Sequence, residues 1–127
     1  MDKFGYTREL HTGFLEALDD VKFSLQEQGF GVINTIDVQD RIKKTGKEIQ
    51  EYVVIGACNP YFASEALDEE YEIGLFFPCN VILYKKENKV YVSVIKPTHT
   101  MGFLNNEGLN QLAQKLEKQL ITAIDNI

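Results

Sequence analysis

The sequence predicts an α+β domain in which a mostly antiparallel sheet carries two long helices on one face. Two observations predict this class. Short runs rich in β-branched and aromatic residues recur along the chain, as in strands. One segment near each end places apolar residues at helical spacing. Since the composition of the 127 residues does not change along the chain, we expect a single domain over residues 1–127.

The first strand and helix are predicted before residue 30. Residues 4–10 form the strand, and Thr12 is a favoured N-cap for the helix that follows. Gly29 stands where a glycine commonly ends a helix. Between them, apolar residues at helical spacing predict a stripe that packs into the core: Phe14, Leu15, Leu18, Val21 and Leu25.

The middle of the chain alternates strands with short helices. Residues 30–36 are rich in β-branched residues and predict a second strand. Asp37 can cap a short helix that runs through Lys44 and closes at Gly46. Residues 51–57 are nearly all apolar, which predicts a buried third strand.

A helix after the third strand is predicted from its first two residues. Asn59 is a favoured N-cap, and Pro60 suits the first helical position because its missing N–H would be unpaired there. This helix reaches about Leu67 and runs into the acidic residues 68–70.

The last part of the chain predicts a hairpin and a long helix. Residues 81–85 and 90–96 form the two strands, joined by a turn at residues 87–89. Pro97 ends the second strand, and residues 98–102 are expected to be a loop. The final helix is capped at Asn105 or Asn106, and its apolar face carries Leu109, Leu112, Leu116, Leu120 and Ile124.

The sheet needs cover on the face that the helices leave open. Phe76, Phe77 and Tyr84 suggest that this face is apolar. A second copy of the chain would cover it, so we expect a homodimer.

Two cysteines mark the expected functional site. Cys58 ends the third strand, and Cys79 lies between Pro78 and Asn80 at the start of another. If these strands are antiparallel neighbours, the two residues lie close together, although their side chains can still point to opposite faces of the sheet. We expect a ligand site around them, with Tyr61 and Phe77 as an apolar wall and these residues as its centre: Cys58, Asn59, Pro60, Pro78, Cys79 and Asn80.

The sequence leaves several roles open for the two thiols. They can be small buried apolar groups. Cys58 can instead be an attacking thiolate before a helix N-terminus, with Cys79 as its resolving partner. The pair can also bind a soft metal such as copper or zinc, although His11 and His99 have no short spacing to either cysteine.

No other motif identifies a reaction. Glycine-rich phosphate loops and nucleophile–histidine–acid spacings are missing from the sequence, so we expect no cofactor and leave open whether the protein is an enzyme. His99 and the acidic residues 68–72 are expected to be solvated groups. The leading hypothesis is a non-enzymatic binding or regulatory module for a small molecule.

Charge and terminal sequence limit the partners. The net charge is −6, and the basic runs are short and flanked by acids, so we expect neither nucleic acid nor a membrane as a partner. The first residues lack the pattern of a signal peptide, and no apolar run approaches the length of a membrane span. We therefore expect a cytoplasmic protein with reduced thiols.

The two cysteine motifs also resemble a known family. Residues 54–60 read V-I-G-A-C-N-P, residues 74–81 read G-L-F-F-P-C-N-V, and Ala63 and Ala66 lie between them. Together they resemble the signature of the family known as domain of unknown function 302, and the resemblance covers nearly the whole chain. Phe76 and Phe77 stand where we expect smaller aliphatic residues. The resemblance implies a TATA-binding-protein-like β-α-β(4)-α fold and small, dimeric, bacterial relatives; it implies no activity.

Overall fold

The computed structural model describes residues 4–127 and contains one five-stranded sheet. Its strand order is β1-β5-β4-β3-β2, and every neighbouring pair is antiparallel. The predicted α+β class, with its antiparallel sheet, is confirmed. The strands are β1 (Gly5–Leu10), β2 (Gly31–Asp37), β3 (Tyr52–Cys58), β4 (Cys79–Lys86) and β5 (Lys89–Ile95).

Five α-helices connect or follow these strands in the described part of the chain. They are α1 (Phe14–Glu27), α2 (Val38–Lys43), α3 (Pro60–Glu69), α4 (Pro97–Met101) and α5 (Glu107–Asp125). Two 3₁₀ helices, Tyr71–Phe76 and Gly102–Leu104, lie between them. Most predicted element boundaries agree with these to within one or two residues.

The two long helices α1 and α5 cover one face of the sheet. Strand alternation sends every second side chain to that face, where Val81 and Leu83 of β4 and Val92 of β5 are fully buried. Val21 and Leu25 of α1 pack into the same core, as do apolar residues of α5: Leu116, Leu120, Ala123 and Ile124. Burial of these side chains is the main stabilising contribution to the fold.

The start of α1 differs from the prediction. Gly13 is the N-cap, with no side-chain hydrogen bond, so Thr12 does not cap the helix. Leu15 was expected in the core stripe but is 77% exposed. Ala17, one turn before Val21, is fully buried instead. A stripe at helical spacing can be assigned one residue too wide, because the edge of a buried face depends on its tertiary neighbours.

The caps of the later helices follow the sequence. Asn59 accepts hydrogen bonds from the N–H groups of Tyr61 and Phe62, and Asn106 accepts one from the N–H of Leu109. At the C-terminal end of α5, Arg8 Nη1 donates to the carbonyl oxygens of Ile124 and Ile127 at 2.8 and 3.0 Å, as well as to that of Asp125. A cation there complements the helix dipole and ties β1 to α5.

The segment after β5 was expected to be a loop over residues 98–102 but begins with α4. Pro97 occupies the first helical position, where a missing N–H costs nothing. Thr98 holds the helix to α5, because its N–H and Oγ1 both donate to Glu117 Oε1, at 3.0 and 2.6 Å. Because α4 is held by a carboxylate 19 residues away in the chain, the local sequence gives little indication of this helix.

A second apolar cluster lies where α3, α4 and the N-terminal part of α5 meet. Its buried members are Ala66, Ile73, Met101, Leu109 and Ala113. Phe76 and Phe77 pack against this cluster and so do not belong to the open face of the sheet, contrary to the expectation from sequence. Among residues 4–127, no helix is both long and apolar enough to cross a bilayer.

The open face of the sheet carries a row of aromatic rings instead. Tyr52, Tyr84 and Tyr91 lie side by side on three neighbouring strands, with centroids 5.5 Å apart for the first pair and 5.3 Å for the second. Both pairs are nearly parallel, as cross-strand aromatic neighbours often are. Of the three residues expected to make this face apolar, Tyr84 is the one that lies on it.

Candidate functional site

The strands of Cys58 and Cys79 are antiparallel neighbours, which is the condition under which the two residues lie close together. The register pairs Cys79 with Ala57, and Ala57 is fully buried against the helices. Cys58 follows Ala57, so its side chain leaves the strand on the opposite face of the sheet. Both cysteines are free. The fold brings the two residues into adjacent strands but directs their side chains apart.

The thiol of Cys79 is a buried apolar group. Its side chain packs against the main core on the helix side of the sheet. Burial, and to a lesser extent the negative charge that Cys58 would carry, raise the pKa of Cys79 from 9.0 to about 12. Near neutral pH Cys79 is therefore a protonated thiol.

Asn59 and Pro60 belong to the start of α3. The carboxamide oxygen of Asn59 accepts the two capping hydrogen bonds, and its Nδ2 donates to Gln119 Oε1 on α5 at 3.0 Å. Both polar ends of the side chain are thus engaged within the chain. Asn59 has a structural explanation, and a ligand would have to compete with these contacts.

The other half of the predicted site lines a cavity. Pro78, Cys79 and Asn80 border a hollow of about 250 Å³ between the start of β4, the end of β5 and helix α4, hereafter the Pro78 cavity. The Phe77–Pro78 peptide bond at its wall is cis. The remaining lining residues are Leu75, Phe76, Phe77, Ile95, Pro97, Thr100 and Met101. Cys58, Asn59 and Pro60 are not among them.

The predicted apolar wall is present in part. Phe77 lines the Pro78 cavity and packs edge-on against Phe62 of α3, with ring centroids 6.2 Å apart. Tyr61 does not line it and is 83% exposed. Because Tyr61 and Phe62 are successive residues of a helix, they face different directions, and Phe62 is the one turned toward the core.

Two polar side chains reach the Pro78 cavity. Asn80 is exposed, and its amide makes no hydrogen bond to any residue of the described chain, 4–127. Thr100 Oγ1 donates to the carbonyl oxygen of Pro97 at 3.3 Å and keeps its own acceptor capacity. An apolar hollow with one free amide and one hydroxyl is the usual composition of a small-molecule site.

A larger depression of about 850 Å³ lies at the other end of β4, on the open face of the sheet. Tyr52, Ile82 and Tyr84 form its floor, with residues of both charges at its edge: Glu48, Lys85, Lys86 and Glu87. The pKa of the Tyr84 hydroxyl is raised by burial and by the neighbouring Tyr52 and Tyr91. We interpret this depression as part of an uncovered sheet surface, because Tyr52, Ile82 and Tyr84 lie on the open face and neither cysteine lines it.

The remaining candidates contribute no chemistry that the geometry supports. His99 is exposed on α4, with its Nδ1 3.2 Å from Thr98 Oγ1. Within residues 4–127, no group of three or more histidine, cysteine, aspartate or glutamate side chains is placed to hold a metal ion. Since the two thiols also leave opposite faces of the sheet, neither a metal site nor an attacking–resolving pair gains support.

Sequence reasoning missed the part of the site contributed by α4. Thr100 and Met101 were placed in a loop, and Ile95 was treated only as a strand residue. The proline at residue 97, which often begins a helix, was the available signal.

Comparison with known proteins agrees with this fold. The family model described as "Domain of unknown function DUF302" matches residues 6–127. The structure is similar to the crystal structure of an uncharacterized conserved DUF302 protein from Bacillus stearothermophilus, with a TM-score of 0.91 and 30% sequence identity over 97% of each chain. The comparison with curated proteins found no match.

Proposed function

We propose that this chain, which belongs to the family described as domain of unknown function DUF302, is a homodimeric binding module with its ligand in the Pro78 cavity. The family description names no activity, so the proposal rests on the geometry of the cavity. The observation that carries this proposal is the free amide of Asn80 at the edge of a mostly apolar hollow. A ligand with an apolar body and one polar group would satisfy both features.

The site we propose is smaller than the one expected from sequence. It keeps Pro78, Cys79 and Asn80 and adds Thr100 and Met101 from α4. Cys79 contributes shape and apolar surface, because its raised pKa keeps it protonated. A binding module needs no reactive group at this position, and none of the chemistry proposed here requires one.

The homodimer forms through the open face of the sheet. The row of Tyr52, Tyr84 and Tyr91 is the kind of aromatic surface that is enriched at protein interfaces. In a two-fold contact, the lysines at the edge of one copy can face the glutamates at the edge of the other. A cytoplasmic location, favoured by the two free cysteines, completes the proposal.

A thermal-shift screen of small metabolites tests the ligand site. We expect compounds that combine an apolar ring or chain with one polar group to raise the melting temperature of the wild-type protein. Thr100→Phe fills the cavity and should abolish these shifts, whereas Gln111→Phe on the exposed side of α5 should retain them. Shifts that persist in Thr100→Phe would place the ligand elsewhere and reject the proposal.

A further inference from the structure

An exposed apolar surface adjoins the Pro78 cavity. Leu75 is 83% exposed, and Phe103 is 68% exposed. Phe76 joins them, with its ring centroid 6.0 Å from that of Phe103. We call these three residues the Leu75 patch. Large apolar side chains that are grouped and this exposed are typical of interaction surfaces.

The Leu75 patch and the cavity are continuous. Leu75 and Phe76 belong to both, and Phe103 follows two residues after Met101, which lines the cavity. The cavity, at about 250 Å³, lies below the usual range of roughly 300–1,000 Å³ for drug-sized ligands. It therefore suits one bulky side chain that is carried by a longer molecule lying across the patch.

The chain segment that carries Leu75 and Phe76 is negatively charged, although Lys96 stands between the cavity-lining residues Ile95 and Pro97. Residues 60–84 contain acidic side chains and no lysine or arginine. The acidic side chains are exposed: Glu65, Asp68, Glu69, Glu70 and Glu72. None of them forms an ion pair with a residue of the described chain. The basic turn of the β4–β5 hairpin is at the opposite end of β4, about 25 Å away for a strand of this length.

We propose that the ligand of the Pro78 cavity is a bulky apolar side chain of a basic protein segment, which lies over the Leu75 patch. This inference rests on the proposed function, since it names the ligand of the same site. Lysine and arginine residues on either side of the inserted side chain pair with Asp68, Glu70 and Glu72. Asn80 donates to or accepts from the main chain of the segment.

The same charges disfavour the other macromolecular occupants. In a two-fold contact through this patch, Glu72 of one copy would approach acidic residues of the other, which costs free energy. Anionic lipid headgroups and nucleic-acid phosphates would be repelled in the same way. A basic polypeptide is the occupant whose charge complements this surface.

Selection from a random dodecapeptide library displayed on phage, against the purified full-length protein, tests the inference. We expect the selected peptides to be enriched in lysine and arginine around one large apolar residue. Synthetic copies should bind at least about tenfold more weakly to Leu75→Ala and to Asp68→Asn/Glu72→Gln, and more weakly in high salt. Glu16→Gln/Asp19→Asn, which removes two exposed charges from α1, is the matched charge control and should bind normally.

The outcomes separate this inference from the proposed function. If small apolar compounds bind in the cavity but no selected peptide is basic, or if peptide binding is insensitive to Leu75→Ala, the inference is overturned and the cavity remains a small-molecule site. If neither compounds nor peptides bind, both are overturned. Peptides that bind but do not compete with cavity-binding compounds would also reject the inference, because the inserted side chain must occupy the same space.

Discussion

Cys58 lies one register position beyond the partner of Cys79 on the neighbouring strand, and the two side chains leave the sheet on opposite faces. The sequence predicted the closeness of the two strand ends but left the faces undecided. This relationship directs attention from the cysteine pair to the cavity beside Cys79. It also makes the reactivity of each thiol separately testable.

The first prediction concerns alkylation of Cys79 in the native protein. With a pKa of about 12, Cys79 should react with iodoacetamide at pH 8 on the order of a hundredfold or more slowly than free cysteine. Mass spectrometry of Cys58→Ser, which leaves Cys79 as the one thiol, measures this rate. The same variant in denaturant should react at the ordinary rate. Rapid modification of native Cys79, or a Cys58–Cys79 disulfide in wild type at the cytosolic glutathione poise, would contradict the geometry.

The second prediction concerns stability at alkaline pH. The pKa of Cys79 is raised on folding, so the folded state holds a proton that the unfolded state releases above about pH 9. Stability is therefore retained below pH 9 and falls as pH rises toward 12, by up to about 1.4 kcal/mol per pH unit. Urea unfolding at pH 8.5 and 9.5 should show a steeper loss for wild type than for Cys79→Ala. If stability falls equally with pH in the two proteins, Cys79 ionises as easily in the folded state as in the unfolded state.

The third prediction concerns the close approach at Gly56. A β-carbon there would overlap Asn34 Oδ1 and lie 3.0 Å from Pro78 Cγ. Gly56→Ala should therefore reduce the free energy of unfolding by about 1–3 kcal/mol, as overpacked substitutions do. Gly74→Ala is the control, since nothing lies within 4 Å of its added carbon. If chemical denaturation finds the two variants equally stable, Pro78 does not pack closely against Gly56 of β3.

The fourth prediction concerns the homodimer. Tyr84 is the central ring of the aromatic row, so Tyr84→Glu should place a charge in the proposed interface and give a folded monomer. Tyr61→Glu, on the exposed side of α3, should remain dimeric. Light scattering coupled to size exclusion measures both masses. A wild-type protein that is monomeric at tens of micromolar would contradict the proposed homodimer.

The sequence predicted what depends on local patterns. Alternation in residues 81–85 and 90–96, the Asn59 cap and the leucine face of α5 follow from spacing and capping rules, and the structure contains each of them. What the sequence could not predict depends on distant contacts. The side of the sheet taken by each cysteine follows from the β3–β4 register, and α4 depends on the contact between Thr98 and Glu117.

For the same reason, only half of the predicted site residues line the cavity. Pro78, Cys79 and Asn80 are contiguous in sequence, and all three line it together with Phe77. Cys58, Asn59 and Pro60 are contiguous too, but the turn from β3 into α3 carries them to the cap contact with Gln119 instead. Thr100 and Met101 reach the cavity through the packing of α4; Pro97 signals the start of this helix but not where the helix packs.

Methyl NMR of Met101 tests the Pro78 cavity most directly. The chain contains two methionines, Met1 and Met101, and Met101 lines the cavity. In protein labelled with ¹³C at the methionine methyls, titration with indole should shift the Met101 signal saturably and have no saturable effect on Thr100→Phe. A Met101 signal that does not move, or one that moves equally in Thr100→Phe, would mean that the cavity is not a binding site.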